Sequence, residues 1–335
     1  MTTPTASTNS RRQAMQALAV LTATGLLGQA SPASAQTAWP TRPIKLVLPS
    51  GPGGGADIFG RQLADYMAKE LGQPVVVDNR PGANGVLASE AVVRQPGDGY
   101  NLLISFAGAI LGNKAMNKTL SHDPIADLKP IGLIGGDGGN LLIVTPALPV
   151  NNLKELLALA KSQAGGLSYG SWGIASGGHL VMEAICAQAG VRMNHVPYKT
   201  VAAIPNDLLS GVLTVSTIDG ATPVALIKAG KMRAIAALSN KRLPQLPDVP
   251  TMGEQGYPLE SAPWYGLFGP ASMPADLVNR LNALLNKWLM LPETRTFFAE
   301  KQNTPTPMTK SAEEFAAQIQ RELPVWRKMV ADAKV

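Results

Sequence analysis

IKLVLPSGPGGGADIFG, residues Ile44 to Gly60, decides the fold. The apolar run Ile44–Leu48 reads as a strand. Four of the five residues from Gly51 to Gly55 are glycine, so this loop lets a ligand approach the backbone with no Cβ in the way. A helical pattern follows, opening at Asp57. A helix start carries unpaired N–H groups and the positive end of the helix dipole, so the whole unit is suited to an anion. The same grammar returns at Leu167–His179, LSYGSWGIASGGH, with Ser176 as N-cap and His179 in the first turn. Asp57 is the corresponding cap in the first unit. Each loop alone is also what an ordinary strand-to-helix turn with a good cap looks like.

Around these loops, short apolar runs alternate with helical patterns. Ile44–Leu48, Val75–Val77 and Leu102–Ser105 read as strands, with helices at Ile58–Leu71 and Val86–Arg94. The pattern restarts with strands at Leu141–Val144, Leu167–Gly170, Met193–Val196, Leu213–Ile218 and Met232–Leu238. Helices at Leu153–Ser162, Gly177–Gln188, Ile204–Ser210 and Val224–Ala229 separate them. Such alternation implies parallel sheets with right-handed crossovers. Leu128–Val144 reads as a strand that crosses between the units. Asn240–Tyr257, with Pro244, Pro247 and Pro250, reads as the return. Trp264–Phe268 is strand-like, and helices follow near Ala275–Met290 and Ala312–Val330, the second kinked or restricted by Pro324. The expectation is an α/β fold of two lobes: residues 36–140 with 245–335, and residues 141–244. A ligand cleft lies between them, at the carboxyl ends of the strands.

Residues 1–35 are expected to be a signal peptide. Arg11 and Arg12 precede an apolar run from Ala14 to Leu27, and Ala33-Ser34-Ala35 offers a cleavage site. Gln36 is the expected mature start, by a general secretory or a twin-arginine route. The predicted location is the periplasm. Removing Arg11 and Arg12 takes the formal charge from +6 to +4. That is mild, and no dense basic run with interleaved aromatics occurs, which argues against nucleic-acid binding. The single cysteine, Cys186, falls in a predicted helix and reads as a core residue. There is no disulfide framework, so a large core must supply stability.

Catalytic and metal signals are poor. Ser171 misses the G-x-S-x-G elbow by one glycine. His122, His179 and His195, the three histidines, show no spacing typical of a metal site or a triad. No Walker lysine follows the glycine loop. Neither an enzyme nor a cofactor is expected. One alternative is an exported nicotinamide-dependent oxidoreductase, because Gly51, Gly53 and Ala56 match G-x-G-x-x-G/A and Asp78 ends the next strand. Asn84-Gly85 is a turn signal that also places Asn84 near the cleft rim. Tyr198 offers a flat face and a hydroxyl to a ligand slot. Asp219 either accepts from a ligand amine or braces the hinge.

Several stretches resemble the Bug-type substrate-binding proteins of tripartite tricarboxylate transporters. Pro49–Asp57 is similar to that family's first ligand loop, and Val77–Gly85 to its second. Pro96–Tyr100, His195–Lys199 and Pro247–Thr251 with Glu254 and Gly256 continue the likeness in order, through Trp264 and Pro270 to Trp326. The resemblance implies a periplasmic-binding-protein clamshell, type II-like, with mostly parallel sheets flanked by helices. It also implies capture of a small organic acid and delivery to the membrane subunits of such a transporter; presentation to a sensor kinase is the variant, and a monomer is expected. The ligand set it implies is Gly53, Gly54 and Asp57 facing Ser171, Gly173, Ser176 and His179. Asn84 and Tyr198 line the cleft. Beyond what the resemblance implies, Ser50, Ser105 and Asp219, at or just after strand ends, are expected to take part in ligand binding. The chain departs from the family at Ser50, where an aromatic is common, and at Thr200, where a glycine usually follows the lysine.

Overall fold

The computed structural model describes residues 39–116, 119–136, 139–163, 166–198, 201–219, 223–304 and 309–333. The expected signal peptide, Lys199 and Thr200 lie outside these. Residues 1–41 form one unit and 42–335 the other. Of the first, the described part is Trp39, Pro40 and Thr41, with a cis Trp39–Pro40 peptide.

The larger unit holds two five-stranded sheets. The first is built from β1 (Ile44–Leu48), β2 (Val75–Asn79), β3 (Asn101–Phe106), β4 (Leu128–Gly136) and β10 (Trp264–Pro270). Its order is β2-β1-β3-β10-β4. The second holds β5 (Leu141–Val144), β6 (Leu167–Ser171), β7 (Met193–Pro197), β8 (Val215–Ile218) and β9 (Arg233–Ala237), in the order β7-β6-β8-β5-β9. In each sheet the fourth strand in order runs against the rest: β10 is antiparallel to β3 and β4, and β5 to β8 and β9. The other pairings, β1 with β2 and β3 and β6 with β7 and β8, are parallel. The two lobes thus share one topology, and the reversed strand of each follows a passage from the other lobe.

Burial explains why these runs are strands. In β1 only Lys45 is exposed while Ile44, Leu46, Val47 and Leu48 are fully buried, the pattern of a strand covered on both faces. In β5, Leu142 and Val144 enter one apolar cluster and Leu141 and Ile143 another, the two-residue alternation of a strand with helices on both sides.

The helices close with the signals read from sequence. Helix α1 (Gly55–Leu71) ends at Gly72 and α5 (Gly177–Ala189) at Gly190, both left-handed. Between them lie α2 (Val86–Val93), α3 (Asn113–Ala115) and α4 (Leu153–Ser162). Beyond α5 come α6 (Ile204–Ser210), α7 (Val224–Lys228), α8 (Ala275–Met290), α9 (Pro292–Lys301) and α10 (Ala312–Ala333). The expected crossing strand at Leu128–Val144 is two strands, β4 in the first sheet and β5 in the second. Pro324 sits inside α10, which continues through it. Helix α9 lacks a sequence expectation; its apolar face rests on Phe297 and Phe298.

Two segments tie the lobes together. The Pro-rich stretch after β9 leans both ways. Gln245 donates its backbone N–H to Asn303 near α9, and Thr251 bridges Ala237 of β9. Helix α10 shares a single apolar cluster with Val47 and Leu103 of the first sheet and with Ala175 and Leu180 of the second lobe.

Candidate functional site: loops at the carboxyl ends of the strands

The first glycine loop is braced from below. Helix α1 opens at Gly55 with Gly54 as its N-cap, so Asp57 is not the cap. Its carboxylate lies within the first turn, 3% exposed, and folds back to accept the Gly53 N–H at 2.9 Å. Arg61 and Asn79 complete the cage at 3.0 and 2.8 Å, and Asn79 also donates to the Ser50 carbonyl. Burial alone would raise the Asp57 pKa. The bonds from Arg61, Gly53 and Asn79 outweigh it and hold the carboxyl below its usual range. Asp57 therefore shapes the loop. Gly53 stands at φ +77°, a conformation that favours glycine. Its N–H and that of Gly54, which donates to Gly51, are already used. The donors left at this end are the opening N–H groups of α1, beginning at Gly55.

The second loop of the first lobe is pinned at Asn84, itself at φ +50°. The Asn84 amide donates to the Gly108 carbonyl and to Asn113, and Asn113 donates back to the carbonyls of Asn84 and Ala109. Gly108–Gly112 is a π-helical turn, a form that recurs at functional sites. Three buried polar atoms in this region have no protein partner: Ser50 Oγ, Asn84 Oδ1 and Ser105 Oγ. Ser50 follows β1, Ser105 is near the end of β3, and Asn84 follows β2, so all belong to the carboxyl ends of the parallel strands. A buried hydroxyl or amide left unpaired costs about 1–3 kcal/mol. Buried polar groups of this kind ordinarily pair with ordered water or a ligand.

In the second lobe the loop after β6 carries its own network. Ser176 caps α5 by accepting the His179 N–H at 3.3 Å. Ser176 Oγ donates to Ser171 Oγ, which lies 2.7 Å from His195 Nε2. The His179 ring accepts the Ala175 N–H at Nδ1 and stacks on His195, with centroids 3.8 Å apart and planes 15° apart. Burial, and then the neighbouring His195, push His179 down to about 3; burial pushes His195 down to about 4. Such weakly basic rings serve packing and hydrogen bonding. The Ser171–His195 pair is thus packed against the face of the His179 ring. Beside Gly173, at φ +132°, the space is open.

Two expected site residues have other commitments. The Tyr198 hydroxyl donates to Asp207 at 2.6 Å and its ring lies close over Gly170, so only part of its face is available to the cleft. Asp219 follows β8, the parallel neighbour of β6. It lines a cavity of about 50 Å³ with Gly55, Phe59 and Tyr265 of the first lobe and Asn140 at the crossing. The lobes meet elsewhere through backbone. A Cβ added at Gly112 would stand 2.7 Å from the Ala175 carbonyl, and one at Gly108 3.3 Å from the Gly177 nitrogen. His195, which entered only through the stretch His195–Lys199, and Asn113 and Tyr265 are not among the expected ligand residues. The first has a signal in hindsight, since β6 and β7 are parallel neighbours and His195 falls opposite Tyr169.

Cys186 is buried and its thiol is pushed up to about 12 by burial and then by Glu183, so it is a core residue. Among the described residues, no group of three or more histidine, cysteine, aspartate or glutamate side chains is placed to hold a metal, and no helix is long and apolar enough to cross a membrane. The dinucleotide alternative is not supported. Asp78 is engaged by Arg80 at 3.0 Å and Lys45 at 3.8 Å, and the reversed fourth strand departs from a doubly wound dinucleotide sheet.

Two like lobes with glycine and serine loops at their strand ends define a solute-binding protein of the clamshell type. The tripartite tricarboxylate transporter family receptor matches residues 59–334, and the chain belongs to that family. It is 33% identical over 311 residues to protein BugT of Bordetella pertussis, covering 92% of this chain and 95% of that one. An R. palustris protein solved with adipate superposes with a TM-score of 0.81 at 32% identity, over 88% of this chain and 98% of the other. MatC of Rhodopseudomonas palustris, solved with malate, gives 0.79 at 27% identity, over 87% and 100%.

Proposed function

We propose that this chain is an exported, periplasmic receptor that captures a small organic carboxylate in the cleft between its lobes. It delivers the ligand to membrane subunits of a tripartite tricarboxylate-type transporter and performs no chemistry on it. The observation that carries this is three buried polar atoms without a protein partner, Ser50 Oγ, Ser105 Oγ and Asn84 Oδ1, each at or beyond the carboxyl end of a parallel strand of the first sheet. Two hydroxyl donors and the opening N–H groups of a helix suit a carboxylate, and the free amide oxygen suits a bridging water. The adipate and malate held by relatives of the same fold support this ligand class. Ligand contacts made only in the closed state would drive closure.

The test is a thermal-shift panel on the chain from Gln36 onward, with C4 to C8 dicarboxylates, tricarboxylates, aromatic acids, amino acids and NAD(P)(H). A ligand at ~1,000 times its dissociation constant stabilises by about 4 kcal/mol, several degrees for a chain of this size. A rise with a carboxylate and none with nucleotides is expected. A rise with nucleotides alone sinks the proposal.

A further inference from the structure

Each lobe sets a partly exposed aromatic ring at its strand ends, and the two rings flank a seam where the lobes touch. Phe106 ends β3 in the first lobe. Its ring lies 3.5 Å from where a Cβ on Gly85 of the Asn84 loop would stand, and it meets Tyr265 edge to face at 6.2 Å between centroids. Trp172 directly follows Ser171, the last residue of β6 in the second lobe. Between the rings the seam is made of glycine. A Cβ on Gly108 would stand 3.2 Å from the Phe106 ring and 3.3 Å from the Gly177 nitrogen, and one on Gly177 would stand 4.0 Å from the Trp172 ring. Gly178 completes the seat of the indole: a Cβ there would meet the ring at 2.7 Å and the Thr217 hydroxyl of β8 at 2.2 Å. The Trp172 ring is thus fitted against the first turn of α5, over two residues that admit no side chain. Its neighbour in the loop, Gly173, adjoins open space.

On the reading that a carboxylate is held by first-lobe donors, we infer that Trp172 is the specificity-determining residue of the second lobe: its indole face closes on the body of the ligand, opposite Phe106. The argument turns on what each lobe has left to offer. Ser50, Ser105, Asn84 and the opening of α1 all belong to the first lobe, so a ligand held by them alone binds the open and closed forms alike and shifts neither. Closure needs a contact from the second lobe. There the polar groups of the loop are bonded to one another: Ser176 to Ser171 and to the His179 N–H, Ser171 to His195, and His179 to the Ala175 N–H. The partly exposed indole is the large surface that remains in this loop. A rigid aromatic face gains affinity in proportion to the apolar area it covers. Trp172 therefore senses the length and shape of the ligand body, while the first lobe senses the carboxylate.

The experiment is calorimetric titration of the wild-type chain, Trp172→Ala and Trp172→Phe with two series, the diacids succinate, glutarate and adipate and the monocarboxylates butyrate, valerate and hexanoate. Tryptophan emission is followed through the same titrations. Trp172→Ala should weaken the longest acid that binds by about tenfold and the shortest by less, and Trp172→Phe should recover most of the loss. Saturation should change the wild-type emission, and Trp172→Phe should abolish that change. Urea unfolding shows whether each variant folds; where Trp172→Ala does not, Trp172→Phe and the emission decide. Affinities that Trp172→Ala leaves unchanged overturn the inference. So does a loss equal for every chain length, which is what a merely structural role would give, and so does an emission change that persists in Trp172→Phe. In these cases carboxylate capture stands. Failure of both series to bind the wild type overturns the carboxylate reading itself, and this inference with it.

Discussion

Acidification should loosen this protein through its stacked histidines, in a pH window above that of the carboxylates. His179 is 4% exposed, and its Nδ1 accepts the Ala175 N–H at 3.0 Å. A proton on that nitrogen would set two donors against each other beneath a second imidazole 3.8 Å away. The folded-state values, about 3 for His179 and about 4 for His195, lie below the ~6.5 of an unfolded chain. The unfolded state therefore takes up protons first as pH falls. Stability from these groups is fully present above about pH 6.5 and is lost progressively down to the folded values. At about pH 5 the deficit is roughly 1.5 pH units, about 2 kcal/mol for His179. His195 is only partly buried, so solvent screening reduces its share to about 1 kcal/mol. The sum, about 3 kcal/mol, moves a urea midpoint by about 1 M at a slope near 3 kcal/mol/M. The assay is urea unfolding at about pH 7.5 and about pH 5, for the wild type and for His179→Gln with His195→Gln. His122, also held low by burial, gives the double variant a small residual dependence. A wild-type midpoint that does not move, or a double variant that keeps the whole shift, refutes the reasoning.

Other outcomes follow from contacts already described. Asp57→Asn removes the charge from a buried carboxylate that holds Gly53, Arg61 and Asn79; a loss of about 2–3 kcal/mol in urea unfolding is expected, with weaker ligand binding because the glycine loop loosens. Gly112→Ala places a methyl 2.7 Å from the Ala175 carbonyl and 3.1 Å from the Trp326 ring; a loss of about 1–3 kcal/mol is expected, and small-angle scattering should show a more open ligand-free form. Glu322→Gln weakens the acceptor shared by Ser261 and Trp264, at a cost of about 1–2 kcal/mol, visible as a change in tryptophan emission.

Much of this fold is legible in the chain because its signals are local. Apolar runs bounded by glycine and proline became strands, Gly72 and Gly190 became left-handed helix ends, and Ser176 became an N-cap. What escaped depends on distant partners. Asp57 has the residue type of a cap and the spacing of one, yet burial beside Arg61 and Asn79 turns it back on Gly53. Tyr198 stands in a loop that faces the strand ends, but Asp207 of the following helix takes its hydroxyl. The split of Leu128–Val144 into strands of different sheets reflects a passage between lobes that hydropathy alone does not mark. Within the candidate site, the serine loop was legible as a motif. The His179–His195 stack was not, because it needs the register of β6 against β7. Pro324 persists inside a helix because the apolar face of α10, from Phe315 to Trp326 and Val330, is buried on both sides of it.

The proposed function requires that a carboxylate complete the unpartnered polar atoms of the first lobe. The most direct measurement is a crystal structure of the chain with whichever carboxylate gives the largest thermal shift. Carboxylate oxygens are expected within hydrogen-bond distance of Ser50 Oγ, Ser105 Oγ or the opening N–H groups of α1, with Asn84 Oδ1 met by a water or a ligand donor. A carboxylate bound elsewhere, with those three atoms still unpaired, would contradict it.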